Sequence, residues 1–103
     1  MTRRSRWRVR LTSGAADELS RLFEFEAARD LASAPRMRVA MANAFVVLER
    51  LPFSARPARL AQRATLRELL VPHGRSGYVM LLEVEKGVVT ASRIRHQLES
   101  DDD

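Results

Sequence analysis

Tyr78-Val79-Met80-Leu81-Leu82-Glu83-Val84-Glu85-Lys86-Gly87-Val88-Val89-Thr90-Ala91-Ser92-Arg93-Ile94-Arg95-His96 decides the fold. It reads as two strands, 78–85 and 88–96, joined at Lys86-Gly87, a two-residue break suited to a tight hairpin. Residues 79–82 are continuously apolar, which predicts a strand covered on both faces. Just upstream, Pro72-His73-Gly74-Arg75-Ser76-Gly77 carries turn chemistry. Residues 65–71 before it are a third strand. Tight connections between three consecutive strands predict an antiparallel meander.

Working back from there, residues 52–64 read as an extended connection, because Pro57 removes a donor and restricts Arg56. They carry Arg56, Arg59 and Arg63. Two amphipathic helices precede them. In 14–32, Ala16, Leu19, Leu22, Phe23 and Ala27 recur at three- and four-residue spacing. Thr12 and Ser13 offer capping hydroxyls, and Asp17 and Glu18 place negative charge near the helix start. The segment Ala32-Ser33-Ala34-Pro35 interrupts the pattern. Ser33 is a cap for a second helix, and Pro35 is tolerated only in its first turn. Met37, Met41, Ala44, Phe45, Leu48 and Leu51 continue the apolar stripe. So short a break predicts an antiparallel helix hairpin. Before the helices, Trp7, Val9 and Leu11 alternate with Arg6, Arg8 and Arg10, the period of a half-buried strand. The order is β-α-α-β-β-β. It predicts an α+β fold with the helix hairpin packed on a small antiparallel sheet, as a single domain over residues 1–103.

Composition sets bounds on function. The chain has 103 residues, 30% charged and 46% hydrophobic, as a soluble globular domain does. Lys and Arg together number 18 against 13 acidic residues, a formal net charge of +5. All but Lys86 of the basic residues are Arg, which favours bidentate contacts to phosphate or carboxylate. With no Cys there is no disulfide framework, thiolate metal site or cysteine nucleophile. Two His are too few for an ordinary His-based metal site, so no metal or cofactor is expected. No apolar run approaches a membrane span, and no signal core follows the basic start, so a cytoplasmic address is expected.

For catalysis, His73 and Ser76 share a turn but no nucleophile elbow surrounds them, and turn formation accounts for both. Gly74 and Gly77 lack the setting of a phosphate loop. Glu83 and Glu85 read as a solvated strand end. His96 reads as a strand-end histidine bonded to backbone, with a general base as the other reading. The arginines say more. Arg93 and Arg95 share a strand face by alternation. With the meander, Arg67, on the strand that follows the connection, is expected to converge with them into an anion-binding surface. Aromatic residues for base stacking are scarce. The tail, Glu99 with Asp101-Asp102-Asp103, reads as an acidic run.

Several of these segments together resemble the RelE/ParE superfamily of bacterial toxins. The resemblance is carried by Leu66-Arg67-Glu68-Leu69-Leu70-Val71-Pro72-His73-Gly74-Arg75-Ser76-Gly77-Tyr78-Val79 and Arg95-His96-Gln97-Leu98-Glu99. The opening Trp7-Arg8-Val9-Arg10-Leu11-Thr12 with Ala16-Asp17-Glu18-Leu19 also fits, as does Leu51-Pro52-Phe53 leading to Arg56-Pro57. The resemblance implies a toxin of a type II toxin–antitoxin module, of the kind linked to plasmid stabilization, with a cognate antitoxin whose acidic, amphipathic C-terminal segment covers it. Leu19, Phe23, Met41, Phe45 and Arg56 are the expected antitoxin contacts. Arg67, Arg75, Tyr78, Arg93, Arg95 and His96 are the expected target surface. RelE-like members cleave mRNA on the ribosome, whereas ParE-like members poison DNA gyrase. The sequence departs from the nuclease pattern: Val79, not Arg, follows Tyr78, and no Tyr follows His96. A ribonuclease needs a base, and Arg stays protonated. With only His96 and Arg67 as catalytic candidates, the resemblance implies a ParE-like, non-enzymatic gyrase poison. The alternatives are a RelE-like mRNA endonuclease, a non-toxin nucleic-acid-binding domain and an inactive decoy that binds antitoxin.

Overall fold

The computed structural model describes residues 6–58 and 63–100, with side chains to residue 98. Arg59, Met1-Thr2-Arg3-Arg4-Ser5 and Asp101-Asp102-Asp103 lie outside the described residues. Strand β1 spans Arg8–Leu11, helix α1 Ser13–Arg29, helix α2 Ser33–Arg50, β2 Arg56–Pro57, β3 Leu66–His73, β4 Ser76–Glu85, β5 Val88–His96 and a short helix α3 Gln97–Ser100. A 3₁₀ turn at Pro52–Ser54 separates α2 from β2.

The local reasons are the ones the sequence offers. Thr12 caps α1, its Oγ1 accepting from the Ala15 N–H at 3.1 Å. Pro35 sits in the first turn of α2, where its missing donor costs nothing. The β3–β4 turn is only two residues, with Gly74 at φ 64°. The turn is shorter than the composition of 72–77 suggests because Pro72 and Gly77 pair with each other inside the ladder. A Cβ on Gly77 would collide with the Val71 carbonyl. In the β4–β5 turn both Lys86 and Gly87 have positive φ, the type I′ arrangement.

The five strands run in the order β1-β5-β4-β3-β2. The β3–β4–β5 meander is antiparallel, and β2 adds a two-residue strand to it within the segment read as a connection. The sheet is not purely antiparallel, however: β1 pairs parallel to β5, Arg8 opposite Val88 and Leu11 opposite Ala91. Everything between β1 and β5, including both helices, serves as the crossover such a pairing needs. The core lies between helices and sheet: Met37, Met41 and Leu48 of α2 meet Met80, Leu82, Val89 and Ile94. Strand β4 is not covered on both faces as its apolar run suggests. Met80, Leu82 and Val84 are buried, while Val79 and Leu81 between them are half-buried on the other face. In α1 the buried apolar residue is Ala15, and Ala16 is exposed.

Candidate functional site

Strand β1 is shorter than β5 and pairs only with Val88 to Ala91. The following stretch of β5 therefore has an edge without a strand beside it, and α1 takes its place. Glu18 accepts from the Ile94 backbone N–H at 2.8 Å through Oε1 and from Arg93 Nε at 3.0 Å through Oε2. One carboxylate thus satisfies an edge donor and fixes an arginine. Beyond Glu18, α1 and β5 diverge around a cleft of about 720 Å³. Arg21, Leu22, Phe25 and Arg29 line it from α1, and Arg93, Ile94, Arg95 and His96 from β5. Tyr78 and Leu98 complete the lining. Arg21, Phe25 and Arg29 are four residues apart, so they form one ridge of the helix. Arg29 lies over the Phe25 ring at 5.6 Å. Neither Arg21 nor Arg29 belongs to the surface expected from the sequence. Their spacing on either side of an apolar aromatic was the available signal.

His96 is held at both nitrogens. Nδ1 accepts from the Leu98 N–H at 3.2 Å, and Nε2 is 3.1 Å from Ser76 Oγ. With Nδ1 accepting, the neutral ring carries its proton on Nε2 and donates to the serine. The Tyr78 ring meets His96 edge-on at 5.5 Å. Tyr78 is 2% exposed, and burial, reinforced by the Glu26 charge, pushes its phenol up to about 12. It stays protonated at neutral pH and is no base.

A second polar cluster lies behind Tyr78. Glu26 Oε2 accepts from Ser33 Oγ at 2.8 Å and pairs with His73 Nε2 at 2.9 Å, and Oε1 pairs with Arg29 at 3.2 Å. Burial pushes the Glu26 carboxyl up. The Ser33 and His73 hydrogen bonds and the nearby His73 and Arg29 charges outweigh it, leaving the carboxyl below its ordinary value. The cluster ties the end of α1 and the start of α2 to the β3–β4 hairpin. Ser33, the expected cap of α2, spends its hydroxyl here instead.

No protein-family model matches the sequence, and no curated protein matches it. Solved structures do. A chain of the chromosomal ParDE TA system from P. aeruginosa superposes with a TM-score of 0.67 at 14% identity, over 87% of this chain and 95% of that one. A chain of the toxin–antitoxin complex RelBE2 from Mycobacterium tuberculosis gives a TM-score of 0.61 at 23% identity, over 94% of this chain and 98% of that one. The chain has the RelE/ParE fold.

On this RelE/ParE scaffold the expected surface residues separate into two groups. Arg93, Arg95, His96 and Tyr78 meet at the cleft, and Arg75 sits in the turn at the same end of the sheet. Arg67 does not join them. It pairs with Leu82 in the ladder, whereas Arg93 pairs with Leu81, so the two arginines project from opposite faces. The Arg67 guanidinium donates to the Ala55 carbonyl at 2.7 Å and lies 5.0 Å over Phe53. Of the expected antitoxin contacts, Met41 is buried in the core, Leu19, Phe23 and Phe45 are packed against it, and Arg56 is exposed and paired with Glu68 at 2.8 Å. Among the described residues no helix is long and apolar enough to cross a membrane.

Proposed function

We propose that the chain is the toxin of a type II toxin–antitoxin module, acting in the cytoplasm through its arginine cleft on an anionic macromolecular target and neutralised by a cognate antitoxin. The observation that carries this reading is the conjunction of a fold like those of the ParDE and RelBE2 proteins with a cleft lined by Arg21, Arg29, Arg93 and Arg95. Four guanidinium groups around one recess suit phosphate or carboxylate groups presented together. The ParE-like form, a gyrase poison working by binding alone, is favoured by what the cleft withholds. The Tyr78 phenol stays protonated, and both ring nitrogens of His96 are engaged. Cations are plentiful and a base is not on offer. Against the antitoxin, α2 presents Val39 and Val46, both well exposed, among Arg36, Arg38 and Arg50. That combination suits an acidic amphipathic segment.

One observation favours the RelE-like endonuclease: His96 stands in the same cleft as Arg93 and Arg95, and would act as acid or base if it let go of Ser76. Induction of the lone chain separates the two. The ParE-like reading expects growth arrest with double-strand DNA breaks that require active gyrase, lost in Arg95→Ala and retained in His96→Gln. Ribosome-dependent transcript cleavage, lost in His96→Gln with gyrase unperturbed, overturns it in favour of the nuclease.

A further inference from the structure

We propose that the arginine row Arg6, Arg8 and Arg10 is a strip that grips the phosphate backbone of double-stranded DNA without reading its sequence. It deepens the gyrase reading above and rests on it for the choice of DNA over RNA. Arg8 and Arg10 belong to β1 and are exposed, as is Arg6 just ahead of the strand. Trp7, Val9 and Leu11, which alternate with them, pack against the core. The arginines are therefore carried on the face of the sheet turned away from the helices. Among the described residues no carboxylate pairs with any of the three. The far margin of the sheet differs: there Arg56 and Arg63 are held by Glu68 and Glu83.

Spacing and direction both fit a phosphate backbone. Arg8 and Arg10, two apart on a strand, stand about 7 Å apart. Arg6 extends the row by up to about 7 Å more. At an axial rise of about 3.4 Å per charge, the row spans about four phosphates of one DNA strand. Strand β1 is also the last of the sheet, with its outer edge open. Arg8 donates its backbone N–H to the Gly87 carbonyl, and Thr12 donates to Ala91, so the even-numbered amides face β5. By alternation the Val9 and Leu11 N–H groups face outward along the open edge. A backbone lying at the corner of face and edge meets guanidinium forks on one side and amide donors on the other, both ordinary phosphate contacts.

Opposing charge is distant. Val88 stands beside Arg8 and Thr90 beside Arg10, and the carboxylates on this face, Glu83 and Glu85, belong to the next strand, about 10 Å from the row. Glu83 is taken up by Arg63 and Thr65, and the Glu85 charge lies about a Debye length away at 0.1 M salt. None of the described strand residues on this face is aromatic, so bases have nothing to stack on, which favours a duplex over a single strand. The row also points at the cleft. Strands β1 and β5 are parallel, and β5 continues past the end of β1 into the cleft lining at Arg93. A duplex gripped by the row is thus led to the surface that takes the target.

The test titrates a fluorescein-labelled DNA duplex of ~20 base pairs with the full chain and follows anisotropy between about 50 and 200 mM NaCl. Each phosphate contact adds about 0.9 to the slope of log affinity against log salt. The triple variant Arg6→Gln, Arg8→Gln, Arg10→Gln should lower that slope by about 2–3, so the parent loses about 15–40-fold more affinity over this range than the variant. The triple variant Arg6→Lys, Arg8→Lys, Arg10→Lys should keep the slope, because it keeps the charges. A duplex of unrelated sequence should bind within about twofold of the first. DNA added to the unsubstituted chain should move the NMR signals of the Arg8 and Arg10 Nε–H groups and of the Val9 and Leu11 amides, a readout that does not depend on any variant folding. A slope unchanged in the glutamine variant overturns the proposal, as do NMR changes confined to Arg21 and the other cleft residues. So does an RNA duplex or a poly-glutamate chain that binds the row more tightly than the DNA duplex. Growth arrest on induction is read separately. Duplex binding as expected without arrest removes the toxin reading and leaves the strip. Arrest with gyrase-dependent breaks but no duplex binding removes the strip and leaves the toxin reading.

Discussion

Arg67→Ala separates what the sequence suggests for this residue from what the structure makes of it. Read by alternation and proximity, Arg67 belongs to an anion-binding surface with Arg93 and Arg95. In the structure it is a clamp at the opposite margin of the sheet. Its guanidinium bonds the carbonyl of Ala55, a residue 1% exposed, and covers the Phe53 ring. Truncation leaves that buried carbonyl without a donor, at a cost of about 1–3 kcal/mol. Losing the cation–π contact adds about 0.5–1 kcal/mol at a site this exposed. The sum is about 1.5–4 kcal/mol. For a domain of this size each kcal/mol moves the melting midpoint by about 4–8 °C, so a drop of about 6–30 °C is expected. Thermal and urea unfolding followed by circular dichroism measures it. Toxicity of the variant, induced at a temperature where it remains folded, should match the parent chain. A melting midpoint within about 2 °C of the parent, with toxicity abolished, refutes the clamp and returns Arg67 to the target surface.

The other expectations concern turns and acid sensitivity. Gly77→Ala should destabilise by more than about 2 kcal/mol, because the new Cβ meets the Val71 carbonyl in a paired ladder. Gly74→Ala, with open space around it and only a left-handed φ to resist, should cost about 1 kcal/mol. The two urea midpoints, compared directly, test the order. Lys86→Asn should stabilise by about 0.5–1 kcal/mol, since Asn accepts the left-handed conformation at φ 54° better than Lys does; an unchanged midpoint counts against that reading of the turn. The Glu26 carboxyl is depressed in the folded state from an ordinary value of 4.5. Its contribution is therefore fully present above that value and is lost as pH falls through the lower, folded one. Glu26→Gln should remove that part of the acid-unfolding slope, and a stability profile unchanged below pH 4.5 would show that the depression is not real.

The β3–β4–β5 meander and the helix hairpin are legible because each rests on local periodicity: Val89, Ala91 and Ile94 in one strand, Met37, Met41, Ala44 and Leu48 in one helix. Placing β1 is a different problem. Its alternation shows a strand, but nothing in Trp7-Arg8-Val9-Arg10-Leu11 says that its neighbour is β5, or that the pairing is parallel. That choice is made by the helical crossover. Arg67 parts from Arg93 and Arg95 for a related reason. Facing across a sheet depends on register, and a change of one residue exchanges the faces. In the observed register Glu68, not Arg67, shares a face with Leu81 and Arg93, and an irregularity at Leu81 and Leu82 shifts the pairing further. The buried Glu26 cluster was invisible because its partners stand 7 and 47 residues away. Within one helix Glu26 is merely another carboxylate.

The cleft itself follows from a mismatch in strand length. Had β1 continued beside β5 to His96, its ladder would have satisfied the β5 edge, and α1 would have had no backbone donor to reach for. Because β1 stops opposite Ala91, the Ile94 N–H needs an acceptor, and an unpaired buried donor costs about as much as a lost hydrogen bond. Glu18 supplies the acceptor and in doing so fixes the angular position of α1 against the strand. That position sets where the residues three, seven and eleven beyond it fall: the Arg21, Phe25 and Arg29 ridge is brought to face Arg93, Arg95 and His96. The cleft is thus produced by the same bond that closes the sheet edge, and Glu18 is the residue that positions it.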